Sequence, residues 1–303
     1  MTAVERINDL IKRKEQFIAT KESQLGKKVV ELQLRLFEIL ITDLLSKLET
    51  ENGLILNNVS NISLVMEVEK VFDNFSSLYH NEVIQSHAIE LLKLTSLSAT
   101  YYTDGLGIAK KRIDRIKKSA SFIEKAIGID RDGQLIKGSY LDSLSRLPEV
   151  RSQIKQHFLE GVTTRQPLNK FTKGFKELIV GNENVEGRLQ RYYKQNVYDT
   201  FNNVDAIVNQ HFAENLELKH FLYQGTLIKS SRAFCIKRAG HVFHVDDTKD
   251  WKNDPDLIDK KTKESYIPLI ERGRYNCRHI IAYISEEIAT EYFSYKRNKD
   301  QNV

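Results

Sequence analysis

Through the first hundred residues the apolar positions recur every three or four residues, the period of an α-helix laid against a core. Val29, Leu32, Leu36, Leu40, Leu44 and Leu48 form one row, with Val30, Leu34, Phe37, Ile41 and Leu45 beside it. The combined stripe is wide and suggests burial against more than one neighbour. Asn57-Asn58-Val59-Ser60-Asn61 is a polar break able to cap the next helix, which carries Val65, Val71, Phe72, Phe75, Leu78 and Tyr79 toward Tyr101. Asp104-Gly105 then precedes a helix with Ile113, Ile116, Ile123 and Ile127 on one side. Pro148 predicts a first helical turn ahead of Val150, Ile154 and Phe158, closed by Gly161, and a short helix follows over 167–180. Leu189, Tyr193, Val197, Phe201, Val204, Val208 and Phe212 predict one long helix whose aromatic residues belong to the core. After Leu218 the period changes. Segments 220–228, 242–245 and 280–284 are short and rich in β-branched or aromatic residues, which reads as strand. Segment 246–267 reads as a polar loop, and 295–303 as a frayed charged tail.

Glycine and proline sharpen this picture. The first 104 residues hold only Gly26 and Gly53 and no proline, so long uninterrupted helices are expected there. The predicted fold is mainly α: long N-terminal and central helices with a small C-terminal α+β module. The expected divisions are an N-terminal helical region (1–131), a central helical region (132–217), the α+β module (218–287) and the charged tail (288–303). Apolar residues at 41% and charged residues at 29% fit a chain with a real core. A net charge of +5 is too modest for a dedicated nucleic-acid coat, leaving room only for a local basic face. Two cysteines exclude a disulfide scaffold, and no apolar run is long enough to predict a membrane span.

Candidate chemistry is concentrated in two places. On the helix near residue 110, Lys111, Arg115 and Lys118 share a face, flanked by Lys110, Arg112 and Lys117, with Asp114 the one acid nearby. Such a face could meet phosphates; a solvated helix surface is the plainer reading. The C-terminal segment holds both cysteines, Cys235 and Cys277, with His241, His244, His279, Trp251 and several aspartates. Zinc prefers four thiolate and imidazole ligands, which Cys235, Cys277, His279 and one of His241 or His244 would supply. Cys-x-His is not the usual paired spacing, however, so buried thiols without metal are the first expectation, zinc the second and a disulfide the third. A metal-dependent nuclease using His241, His244 and His279 is disfavoured, because His241 and His244 in a strand point to opposite faces. No G-x-S-x-G, H-E-x-x-H or P-loop pattern occurs, and Gly105-Leu106-Gly107 reads as a helix start.

Several of these elements fall in a recognisable order. Gly187-Arg188-Leu189-Gln190-Arg191 and Phe221-Leu222-Tyr223 are followed by Ser231-Arg232-Ala233-Phe234-Cys235, Gly240-His241-Val242-Phe243 and Asp250-Trp251. Gly273-Arg274-Tyr275-Asn276-Cys277-Arg278-His279 ends the series. This arrangement, over residues 135–285, resembles the phage head morphogenesis family, the Mu protein F-like minor head proteins of tailed phages. The resemblance implies a non-catalytic virion protein at the head or portal vertex, made in the bacterial host cytoplasm and serving head assembly, DNA packaging or DNA delivery. Implied partners are portal or major capsid proteins and packaged DNA, with the chain oligomeric in the virion. Implied motif positions are Arg232, Cys235, Trp251, Cys277, Arg278 and His279, with an architectural role and no resident cofactor. Many members carry an acid shortly before the motif arginine. Here Lys229-Ser230-Ser231 precedes it, and the aspartates after residue 245 are the available replacement. A DNA-binding or metal-dependent DNA-processing protein is the alternative.

Overall fold

The computed structural model describes residues 2–119, 121, 125, 127–130, 132–257, 265–274 and 277–300. The protein is mainly α, with long N-terminal and central helices and a small α+β module toward the C-terminus. It forms two compact units, each assembled from separated stretches. One comprises Met1–Lys21, Glu90–Lys125 and Asp199–Val303; the other comprises Glu22–Ile89 and Ala126–Tyr198. The units therefore interleave along the chain, whereas the sequence reading divides it into consecutive regions. Punctuation by glycine and proline marks where a chain turns, but shared apolar faces decide which helices pack together.

The first helix, α1 (Ala3–Asp43), opens with a capping box: Glu5 N–H donates to the Thr2 hydroxyl and Thr2 N–H to the Glu5 carboxylate. Val29, Leu32, Leu36, Leu40 and Leu44 are buried as one row. The flanking row is not: Leu34 and Ile41 are exposed, so the stripe covers one face rather than two. A hairpin follows, β1 (Thr50–Glu51) against β2 (Leu54–Ile55), turning at Asn52-Gly53 with positive φ at both residues, as a two-residue hairpin loop requires. Helix α2 (Val59–Tyr79) is capped by the Asn58 side chain, which accepts from Asn61 N–H. The buried Asn61 side chain in turn bonds Glu49 and Leu56, securing the hairpin to the helix. A π-helical turn (His80–Ile84) leads into α3 (Gln85–Thr100), and a second (Tyr101–Gly105) ends it. Helix α4 (Lys110–Ser119) buries Ile113 and Ile116; Ile123 lies outside the described residues.

The middle of the chain follows its proline and glycine signals. After α5 (Tyr140–Leu144), α6 (Pro148–Thr163) starts on Pro148, and α7 (Leu168–Ile179) lies where residues 167–180 predict it. Phe158, Phe171 and Phe175 form an aromatic cluster between α6 and α7, while Arg151 and Lys155 of α6 pair with Glu69 of α2. The single long helix expected over 189–212 is instead two, α8 (Arg188–Asn196) and α9 (Tyr198–Leu216), separated by a turn at Val197.

The remaining elements make the C-terminal module. Strand β3 (His220–Gln224) is central, flanked by antiparallel β4 (His241–His244) and β5 (Ile280–Ile284). A one-turn helix, α10 (Ala233–Ile236), connects β3 to β4. Beyond β4 the predicted loop begins as a 3-10 helix (Val245–Asn253), because His244 caps it: Asp246 N–H donates to His244 Nδ1 and His244 N–H to Asp247. Residues 258–264 of that segment lie outside the described residues. A short α11 (Pro268–Glu271) precedes β5, and α12 (Glu286–Asp300) follows it. The expected frayed tail is thus helical in its backbone as far as Asp300, with 301–303 outside the described residues.

Candidate functional site

The module's chemistry gathers on one face of its sheet. Tyr223 in β3 points its hydroxyl at two sulfurs, 3.5 Å from Cys235 Sγ and 3.6 Å from Cys277 Sγ. The sulfurs are 3.8 Å apart and unbonded, and Cys277 Sγ lies 3.8 Å from His279 Nδ1. The His279 ring also stacks on Tyr223. The donors arrive from two elements: Cys235 from α10, and Cys277 with His279 from the approach to β5. Cys235, Cys277 and His279 are all buried, and theirs is the one group of potential metal donors of this kind among the described residues.

Backbone fits tightly around this cluster. A Cβ on Gly273 would stand 2.4 Å from Cys235 Sγ and 3.3 Å from Cys277 Sγ, and one on Gly225 would stand 2.8 Å from the His279 ring. Glycine is required at both places because main chain lies against side-chain atoms. The Arg232 guanidinium donates to the Gly273 carbonyl at 3.0 Å, fixing the loop that carries that glycine. Trp251 closes the other side, with its ring edge-on to Phe221, Tyr223, Phe234 and Phe243. Arg238 stacks over Phe234 and Trp251 and donates to Asp254 at 2.6 Å. An aspartate from the stretch after residue 245 therefore does hold an arginine of this region, Arg238.

The electrostatics of the thiol pair are asymmetric. The Cys235 hydrogen bond, together with His279 and Arg272, holds the Cys277 thiol well below its usual range against the opposing effect of burial. Cys235 is pushed up, chiefly by its hydrogen bond to Cys277 and then by burial. Of the two thiols, Cys277 is therefore the one its neighbours favour for losing a proton and Cys235 the one they favour for keeping it. Burial, reinforced by the two cysteines, raises the Tyr223 phenol well above normal, so it remains a donor. Glu15 of α1 is raised by burial, with His279 and a hydrogen bond from Thr226 opposing the shift.

The other sequence candidates fall elsewhere. His241 is exposed at the start of β4 with its ring near Phe243, outside the converging donors. The His244 ring packs on His220, and its Nδ1 lies 3.3 Å from Asp246. The trio His241, His244 and His279 therefore does not assemble into a hydrolytic centre, since strand alternation separates the first two as expected. Arg278 is exposed, and Tyr275 and Asn276 lie outside the described residues. On α4, Lys110 pairs with Asp114, Arg112 donates to the Asn215 carbonyl and Lys117 to Ser96, while Lys111, Arg115 and Lys118 are exposed.

Two buried features were not anticipated from sequence. Arg272, 1% exposed and at φ 50°, donates from α11's end to the Asn202 carbonyl of α9 at 3.0 Å. Lys14 of α1 forms a buried ion pair with Asp205 of α9 and donates to Ser98 of α3. A lone charge between apolar neighbours at helical spacing signals such a buried pair only once the helix partners are known. Among the described residues no helix is long and apolar enough to cross a membrane. Compared with known protein families, with curated proteins and with solved structures, the chain matches none.

Proposed function

We propose that this chain is a minor head or portal-associated structural protein of a tailed phage, acting in head assembly, DNA packaging or DNA delivery without catalysis. The observation that carries the reading is the convergence of Arg232, Cys235, Trp251, Cys277 and His279, five of the six positions on which the resemblance to the phage head morphogenesis family rests. The sixth, Arg278, is exposed beside them in sequence. Far apart in sequence, the five meet in one buried knot around Tyr223 and Gly273. A knot closed to solvent rigidifies a small module, which suits docking onto a partner better than turning over a substrate. Portal or major capsid proteins are the partners this reading requires. The test is co-expression of the full chain with the portal protein of the phage or prophage that encodes it. A stable complex of fixed stoichiometry on size exclusion is expected; a portal that elutes alone in every buffer refutes the reading.

The exposed Lys111, Arg115 and Lys118 on α4 favour an added contact with packaged DNA. Each phosphate contact contributes about 0.9 to the slope of log affinity against log salt, so reversing all three charges should lower that slope by about 3. An unchanged slope retires the DNA contact and leaves the assembly reading in place.

A further inference from the structure

The tightness of the Cys235–Cys277–His279 cluster has a consequence independent of the assembly reading. Zinc held by two thiolates at about 2.3 Å in a tetrahedron sets the sulfurs about 3.8 Å apart, and a thiolate and an imidazole nitrogen about 3.6 Å apart. The observed separations are 3.8 Å between the sulfurs and 3.8 Å from Cys277 Sγ to His279 Nδ1. One ligand atom from each of the three residues lies within 4.8 Å of the other two. A disulfide would need about 2.05 Å between the sulfurs, and these thiols are free.

We propose that Cys235, Cys277 and His279 supply three of the four ligands of one zinc ion, which pins α10 and the approach to β5 together across the sheet. The donor set is one zinc favours, two soft sulfurs and an imidazole, presented by separate elements so that the ion would tie the module rather than decorate a loop. Room for the donors is kept by the absence of a side chain at Gly273 and Gly225. Tyr223 Oη, 3.5 and 3.6 Å from the two sulfurs, supplies the hydrogen bond that steadies ligating thiolates, so it belongs to the supporting shell. His279 is 3% exposed and its Nε2 has no hydrogen-bond partner among the described residues; its Nδ1 is turned to Cys277, and the Glu15 carboxyl is near enough to feel the ring electrostatically. His241 is not a ligand.

The full chain, purified under reducing conditions and stripped with chelator, is titrated with Co²⁺ and then with Zn²⁺. One Co²⁺ per chain is expected, with the near-ultraviolet sulfur-to-metal charge transfer and visible bands of a tetrahedral thiolate site, bleached by one equivalent of Zn²⁺. Cys277→Ser and Cys235→Ser should each weaken binding at least a hundredfold, and Tyr223→Phe about ten- to a hundredfold. His241→Ala should leave it unchanged. Because a serine variant could misfold, the unmodified chain is also assayed for alkylation of its thiols, and Zn²⁺ should slow the reaction more than tenfold. Absence of the charge-transfer band in the unmodified chain overturns the proposal. So does binding that survives Cys277→Ser, or equal alkylation rates with and without Zn²⁺.

Discussion

His87 gives a pH dependence whose size follows from its surroundings. It sits in α3 with no exposed surface, and burial holds its imidazole down at about 3. In the unfolded chain the same group takes its proton near pH 6.5. Between those two values the unfolded state binds more protons, so stability is full above about pH 6.5 and falls as the solution is acidified toward 3. At about pH 5 the folded imidazole is still neutral, and the loss is set by the 1.5 units separating pH 5 from the unfolded value. At about 1.36 kcal/mol per unit this is about 2 kcal/mol relative to about pH 7.5. Leucine removes the titrating group while keeping an apolar side chain of similar bulk. Urea unfolding of the unmodified chain and of His87→Leu at both pH values measures the difference. The variant should lose about 2 kcal/mol less on acidification than the unmodified chain. Equal losses, or an NMR titration of the His87 ring with a midpoint near 6.5, would refute the reasoning.

Lys14→Met should cost about 3–5 kcal/mol, because it leaves the Asp205 carboxylate buried without its cation, and Lys14→Met with Asp205→Leu should recover much of that loss. A double-mutant cycle in urea measures the coupling, and additive losses would mean the pair is not the source. Gly273→Ala drives a methyl group to 2.4 Å from Cys235 Sγ, so about 1–3 kcal/mol of destabilisation is expected from overpacking, against no loss for Gly26→Ala, which lies within α1 with nothing near its Cβ position. Thermal unfolding followed by Trp251 fluorescence reads the first change directly, since that ring lies in the same cluster.

Much of the fold is written in local pattern. The row from Val29 to Leu44, the Asn58 cap, the Pro148 start and the β-branched run at Ile280–Ile284 each form the element their residues predict. What local pattern could not supply was pairing. The stripe on α1 looked two-sided because Leu34 and Ile41 share its period, yet periodicity does not say whether a neighbour arrives to cover them. The turn at Val197 carries neither glycine nor proline, so nothing in its composition separates α8 from α9. Asn52-Gly53 is the opposite case: the hairpin signal stands in the sequence, but the strands it joins are only two residues each, too short to show a strand period. In the site, Cys235, Cys277 and His279 were legible as chemically unusual residues in one segment. His241 was equally plausible by type, and only the strand register places it at an exposed end of β4. Tyr223, Gly273 and Arg272 were not legible, because a phenol over two sulfurs, a glycine against them and a buried guanidinium are facts of tertiary approach.

The central claim, a structural role at the phage head, is tested most directly by locating the chain in assembled particles. Heads and tailed virions purified from an induced lysogen encoding the protein, analysed by quantitative mass spectrometry, should contain it at a fixed low ratio to the major capsid protein, retained through a density gradient. A chain that stays wholly in the soluble fraction while complete heads form normally without its gene would contradict the account.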